Sequence, residues 1–367
     1  MRSDHGAGSE DPAGRPGAGQ RPGRPSGATV RSDSDAFARL AQPYRSELLG
    51  YCYRMLGSIH DAEDLVQETY LRAWRSFEAF EGRASLRTWL YRIATNLCLT
   101  ALEHRRRRPL PSGLYGPTGD PESPLAPPPD ITWLQPLPDR LMRADVDDPA
   151  TIVAARASLR LALIAALQYL PPRQRAVLIL RDVLALRAAE VAQMLGISVA
   201  AVKSILQRAR AQIGQVAPSE EDTIEASAAH QRELLDRYVA AFENADVTDL
   251  MRLLTEDAVL EMPPTPTWFA GRESIGRFFG SRVFTEPGVF RMLPTAANGQ
   301  PAAAMYGRGP DGVHHAHAVM VLSTCGAGIT QIVAFRDPGL FEVFDLPQTL
   351  ITTPANGRAD MPTASRF

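Results

Sequence analysis

Lysine is almost missing from this chain: of 39 basic residues only Lys203 is lysine, and the rest are arginine. The bias sets no function by itself, because 41 acidic residues balance the bases and leave a net charge of −2. Any nucleic-acid partner must therefore be argued from where the charge sits, not from its sum. Cysteine is scarce as well. Cys52, Cys98 and Cys325 are odd in number, far apart and in no ligand spacing. That excludes a disulfide framework, implies no zinc or other metal site, and fits a reducing cytoplasm. Long hydrophobic runs are also absent: no stretch approaches the ~18 apolar residues of a membrane span, so no membrane partner is expected. The Gly/Pro/Arg-rich stretch from Met1 to Gly27 lacks the apolar centre of a signal peptide and reads, to about residue 33, as a disordered tail.

What is present is enough apolar residue, 45% of 367, for folded cores in two or three domains. Residues 34–108 are helical by pattern. Phe37, Leu40, Tyr44, Leu48, Tyr51, Cys52 and Met55 recur at three- and four-residue steps, and Gly57-Ser58 breaks the run. Leu65, Thr69, Ala73 and Trp74 carry a second stripe; Leu86, Trp89, Leu90, Ile93, Leu97 and Leu102 carry a third. Residues 109–150 are rich in proline and acid, without apolar period, and form a linker. Helices return over 151–217. After a polar bridge the pattern becomes α+β over 228–346: a long amphipathic helix, a shorter one near Asp246 to Leu254, and strands at Ala258–Met262, Ala302–Arg308, Val313–Ser323 and Ile329–Phe335. A helix from about Gly271 to Gly280 interrupts the strands, and residues 347–367 read as a flexible tail.

The densest local signal runs from Arg187 to Arg210. Ala189, Val191, Ala192 and Leu195 give a short helix one apolar side; Gly196 permits a tight turn, and Ser198 is a good N-cap for the next helix. In that helix, from about Val199 to Ile213, Val202, Leu206, Ala209 and Ile213 share one face and Lys203, Ser204, Gln207 and Arg208 the other. Such a donor-rich face suits phosphates and base edges in a major groove. A plain amphipathic hairpin with a solvated polar face gives the same pattern, so this segment alone leaves both readings open.

Two upstream segments narrow the choice. Asp61-Ala-Glu-Asp64-Leu-Val-Gln67-Glu68 through Trp74-Arg75, and Phe80-Glu-Gly82 through Trp89-Leu-Tyr91 to Asn96, resemble the second conserved region of sigma-70 family factors. Leu170-Pro171-Pro172-Arg173-Gln174-Arg175 looks like the start of that family's fourth region. In this order, with a linker in place of domain three, the motifs resemble the extracytoplasmic-function (ECF) subfamily over about Asp35 to Val216. The resemblance implies a multidomain fold: two all-α sigma domains, a helical bundle (domain two) and a helix-turn-helix (domain four). It implies core RNA polymerase, through its β′ clamp and β subunit, and promoter DNA as partners. Asp61, Asp64, Gln67, Glu68 and Arg75 would form the polymerase-docking surface. Arg83, Arg87, Trp89, Tyr91, Arg92 and Asn96 would engage the −10 element, Trp89 and Tyr91 by stacking or buttressing. Arg105 to Arg108 would face phosphate. Lys203, Ser204, Gln207 and Arg208 would read the −35 groove. Ile205, where the family often has a basic residue, and Ala200-Ala201, where it has a Gly-Thr pair, leave base preference unread. Trp133 and Leu137-Pro138-Asp139 are the expected fixed points of the linker.

The C-terminal domain resembles the SnoaL-like members of the NTF2-like superfamily, a cone of curved sheet and helices around a pocket. Tyr238, Phe242, Asp246, Leu253, Asp257, Met262-Pro263-Pro264, Trp268, Gly271-Arg272 and Ile275 carry the likeness. Asp257, Glu261, Trp268, His315 and His317 are the pocket candidates, with His315, His317, Val319 and Val321 expected on one strand face. The fold hosts enzymes, so acid-base catalysis by Asp257, Glu261, His315 and His317 stands as an alternative. No paired nucleophile or fixed metal spacing accompanies these residues. No cofactor is therefore expected, and regulation of the sigma domains or sensing of a small-molecule ligand is the preferred role.

Overall fold

The computed structural model describes residues 37–77, 80, 85–103, 107–142, 157–216 and 226–351. The chain forms two compact units, Met1–Gln42 and Pro43–Phe367. Of the first, residues 37–41 are helical. All labelled elements lie in the second.

Three helices come first: α1 (Arg45–Leu56), α2 (Ile59–Arg75) and α3 (Leu86–Glu103), each packed on the other two. The α1–α2 break follows from two residues. Gly57 adopts φ 68° and donates its N–H to the Tyr53 carbonyl at 2.7 Å, while Ser58 Oγ accepts the Asp61 N–H as the N-cap of α2. The buried stripes are rotated from those expected. In α2 they are Ile59, Ala62, Val66, Thr69 and Ala73, and Trp74 is exposed. In α3 they are Leu90, Tyr91, Ala94, Thr95, Leu97 and Cys98, while Trp89 and Ile93 are only half-buried. The cause is Tyr91. Its ring meets Tyr51 edge-on at 5.4 Å, a pairing that turns α3 toward α1.

After the linker come α4 (Leu161–Leu167), α5 (Pro172–Leu178), α6 (Ala188–Leu195) and α7 (Val199–Val216). These helices pack on one another and also on two of the first three: α6 and α5 lie against α3, and α4 and α5 against α1. Two buried arginines tie the halves. Arg175 donates to the Met55 carbonyl at the end of α1, to Gln168 Oε1 at 2.7 Å and to the Gln168 and Leu170 carbonyls. Arg54 donates to the Ser158 carbonyl and hydroxyl at 3.2 and 2.6 Å. Neither meets a carboxylate among the described residues, and burial pulls both guanidinium pKa values down to about 10.

The C-terminal part has α8 (Ala228–Glu243), α9 (Val247–Leu253), β1 (Leu254–Glu261), β2 (Trp268–Ala270), α10 (Arg272–Phe278), β3 (Phe290–Ala297), β4 (Gln300–Arg308), β5 (His314–Cys325), β6 (Gly328–Phe335), α11 (Leu340–Val343) and β7 (Thr349–Leu350). The sheet order is β2-β1-β6-β5-β4-β3, with β7 on β5; β1 and β6 are parallel and every other pair is antiparallel. The inner face buries Leu260, Met305, Met320 and Ile332 against Phe242 of α8, Leu250 of α9 and Ile275 and Phe278 of α10. Each such side chain contributes roughly 1.5–3 kcal/mol by leaving water. β3 is not evident from the sequence pattern because Pro294 interrupts it. A proline is tolerated there since β3 is an edge strand, paired within the sheet only with β4. β7 likewise gives the start of the expected tail a strand.

Candidate functional site

The helix-turn-helix is built from caps. Glu190 accepts the Arg187 N–H at 2.8 Å at the head of α6, and the Arg187 side chain holds the Glu190 carboxyl below its usual range. Gly196 ends α6 at φ 64°, where an added Cβ would touch nothing; backbone conformation, not space, selects glycine here. Ser198 Oγ then accepts the Ala201 N–H at 3.1 Å. The two helices meet at 100°. Val202, Leu206 and Ala209 bury the inner face of α7, and Arg210 fixes the helix through paired bonds of 2.9 and 2.7 Å to Asp182. Lys203, Ser204, Gln207 and Arg208 are all exposed, and none of their side chains is engaged by a described residue. Three polar donors and a hydroxyl thus stand free on one rigid face.

On α2, Asp64, Gln67 and Arg75 are exposed and Glu68 pairs with Arg72 at 2.6 Å. Asp61 is half-buried because Arg108 reaches it at 2.6 Å. That same bond turns Arg108 inward, away from the phosphate-facing role expected of it. On α3, Arg92 and Asn96 are exposed, and Trp89 is half-buried 4.8 Å from the Phe80 ring. Tyr91 corrects the expectation of a base-stacking ring: it is fully buried, its hydroxyl 3.3 Å from Glu47. Arg87 bonds Glu47 at 2.8 Å and lies over the Tyr91 ring. Arg83, Arg105 and Arg106 lie outside the described residues.

The expected C-terminal pocket is drawn differently. A cavity of about 320 Å³ opens inside the cone, lined by Phe242, Phe278, Phe279, Met305 and Met320 with His317 among them. The other four candidates lie outside it. Asp257 is exposed on β1, and His315 pairs with Asp311 at 2.9 Å at an exposed turn. Strand alternation puts Glu261 on the sheet face opposite Leu260 and Met262. Its carboxylate is fully buried, accepting the Ser112 N–H of the linker at 2.8 Å and Gln331 Nε2 at 2.7 Å, and burial pushes its pKa up. Trp268 donates Nε1 to the Tyr115 carbonyl at 2.8 Å, again on the linker. The shared face of His317 with Val319 and Val321 fails for a local reason. Met305 pairs with Ala318 but Tyr306 with Ala316, so His317 is the extra residue of a β-bulge and turns inward.

The strongest polar cluster is not among the residues the sequence singles out. Ala297 pairs with Gln300, which leaves Asn298-Gly299 as a two-residue turn with φ 58° and 70°. Asn-Gly is a strong sequence signal for a hairpin of this kind. Asn298 is fully buried. Its Nδ2 donates to Tyr53 Oη and to the Leu159 carbonyl, both at 2.8 Å, and its Oδ1 accepts the Leu137 N–H at 2.8 Å. Beside it, Gly299 N donates to Asp139 and Leu161 N to Gln300 Oε1. One turn thus holds α1, the linker and the lead into α4. Leu137 is buried and Asp139 bonded at that junction, and Trp133 is buried elsewhere along the linker, its carbonyl facing Arg108.

Residues 40–108 match the family described as Sigma-70 region 2, residues 160–213 Sigma-70, region 4, and residues 235–335 the SnoaL-like domain. The chain is 52% identical over 316 residues to the ECF RNA polymerase sigma factor SigG of Mycobacterium tuberculosis, covering 86% of this chain and 85% of that one. It belongs to the ECF sigma factors. The ECF sigma factor SigJ of the same organism is 30% identical over 87% of this chain and 95% of its own. The crystal structure of M. tuberculosis SigJ, at 24% identity, aligns with a TM-score of 0.54 over 87% of this chain and 99% of that one, so the two share a fold. In this sigma factor α1–α3 therefore fall in region two, α4–α7 in region four, and the cone is a SnoaL-like domain. No single helix among the described residues is long and apolar enough to cross a membrane.

Proposed function

We propose that this sigma factor docks on core RNA polymerase through the exposed face of α2, reads promoter DNA through α7 and the exposed side of α3, and is held closed by its SnoaL-like domain. The observation that carries the last point is the Asn298 side chain, buried between Tyr53, Leu137 and Leu159. Two promoter elements about 25 base pairs apart are separated by about 85 Å along B-DNA, at ~3.4 Å per base pair. A chain with α3 packed against α6 does not span that distance, so regions two and four separate before both elements are held. The linker that must extend is clamped by the cone at Ser112, Tyr115, Ala126 and Leu137. Sites of this kind regulate by favouring one of two arrangements. The cone acts as a binding module in this reading, and its cavity serves recognition rather than turnover.

Asn298→Ala tests the reading. It leaves the Leu159 carbonyl and the Leu137 N–H without this partner, at about 1–3 kcal/mol for each buried group left unsatisfied, while the Tyr53 hydroxyl keeps its bond to the Gln135 carbonyl. Run-off transcription with core polymerase is expected to rise several-fold in this variant and in a chain ended at Ser219. Unchanged rates from both would overturn it.

A further inference from the structure

The cone cavity holds a chemistry that nothing above uses. Its wall is apolar and aromatic, with Phe242, Phe278, Phe279, Phe290, Met305 and Met320, and no acidic side chain lines it. Three nitrogen-bearing side chains complete the lining: half-buried His317, and Arg282 and Arg336, both exposed and so at its solvent edge. Arg282 is engaged by the Glu122 carbonyl of the linker. The Arg336 guanidinium takes no hydrogen bond or ion pair from a described residue, and the His317 ring is likewise without a hydrogen-bond partner, only facing Phe290 at 6.4 Å. The bulge at His317 gives up a ladder position to aim this ring inward, a use to which bulges are commonly put. One further side chain comes from outside the cone. Leu125 of the linker packs on the same core cluster and closes one side of the cavity.

We propose that this cavity binds a small apolar anion, its carboxylate set by Arg336 and His317, its body on the aromatic wall, in competition with Leu125. The volume, about 320 Å³, lies at the small end of ligand sites. An unpaired guanidinium facing an apolar cavity without acid selects against cations, and against neutral ligands by the lost charge-assisted bond. Burial and the neighbouring Arg336 lower the His317 pKa, so near neutrality the ring is uncharged and offers one N–H donor and one acceptor. Arg336 then supplies the charge and His317 the direction. Because Leu125 belongs to the linker, occupancy of the cavity loosens the segment from Asp120 to Ala126, whose other ties are Arg277 and Arg282 at the surface, the buried Thr267 and the packing of Pro121. The site deepens the regulatory reading and rests on it for this last step alone; binding itself does not.

Calorimetric titration of the full chain tests it with decanoate and 2-naphthoate against decanol, 2-naphthamide and decyltrimethylammonium. The anions are expected to bind at least tenfold more tightly than their neutral and cationic counterparts. Arg336→Gln, at an exposed position, should remove most of that preference while leaving decanol unchanged, and His317→Phe should weaken the anions alone. Leu125→Ala should tighten both anions several-fold. Failure of both anions to bind, or binding equal to the neutral compounds and indifferent to Arg336→Gln, would overturn the site. Weaker anion binding on Leu125→Ala would overturn the competition. None of these readings involves polymerase, so they stand or fall apart from the Asn298→Ala transcription result.

Discussion

Tyr91 and Trp89 sit two residues apart on α3, and their burial separates two kinds of importance. Tyr91 fills the region-two core against Tyr51, so Tyr91→Ala should cost about 3–5 kcal/mol, as large-to-small core changes of aromatics do. Tyr91→Phe loses only a 3.3 Å hydrogen bond to Glu47 and should be close to neutral. Trp89→Ala, at a half-buried ring, should shift the thermal midpoint little yet slow promoter opening, read by fluorescence of a 2-aminopurine in the −10 strand. Equal stability losses at both positions would contradict this division. Glu261 gives a pH prediction. Its folded pKa lies above the unfolded value of about 4.3, so its favourable contribution is complete below that pH and is lost as pH rises through the folded pKa. Glu261→Gln removes this dependence. The variant should gain in unfolding midpoint relative to the parent as pH rises from about 4.3 through the folded pKa, and a difference that stays constant from acid to neutral pH would refute the burial argument.

At the scale of elements, the helices and most strands were legible because their periods are long and their caps explicit: Gly57-Ser58, Gly196 and Ser198 each do what their chemistry requires. Three features were hidden for physical reasons. The stripe of α3 is set by a partner ring on α1, not by its own hydropathy. β3 carries a proline that only an edge position excuses. The bulge at His317 depends on the register between β4 and β5, which no single strand encodes. The cavity candidates Asp257, Glu261, Trp268 and His315 were polar residues on plausible strands, but alternation and the turn geometry sent them to the outer face, the surface or the linker. Asn298-Gly299, by contrast, was readable as a hairpin and not as an anchor, because its partners lie as far away as Tyr53. For α7 the free face makes a direct prediction. The double variant Lys203→Ala, Arg208→Ala should weaken promoter binding at least tenfold and reduce the salt slope by up to about two, near 0.9 for each phosphate no longer neutralised. An unchanged slope, measured by fluorescence anisotropy at several salt concentrations, would place α7 elsewhere than on DNA.

Over the whole molecule, many small polar bonds stabilise the arrangement described, and two buried arginines that meet no acid among the described residues burden it. Breaking such a network locally is costly, yet the buried cations return to water when the halves part, which lowers the net cost of opening. This balance fits the proposed cycle, closed when free and extended on polymerase and DNA. The direct measurement is an energy-transfer distance between dyes at exposed positions outside the DNA-reading sets, Thr100→Cys on α3 and Ala211→Cys on α7, in a chain whose partly exposed Cys325 is serine and whose other cysteines, Cys52 and Cys98, stay buried. Free protein should show a short distance that lengthens toward about 85 Å on polymerase and promoter, the B-DNA spacing of the two elements. Asn298→Ala should populate the long distance without either partner. A free protein already as extended as the bound one would contradict the claim that the C-terminal domain holds this sigma factor closed.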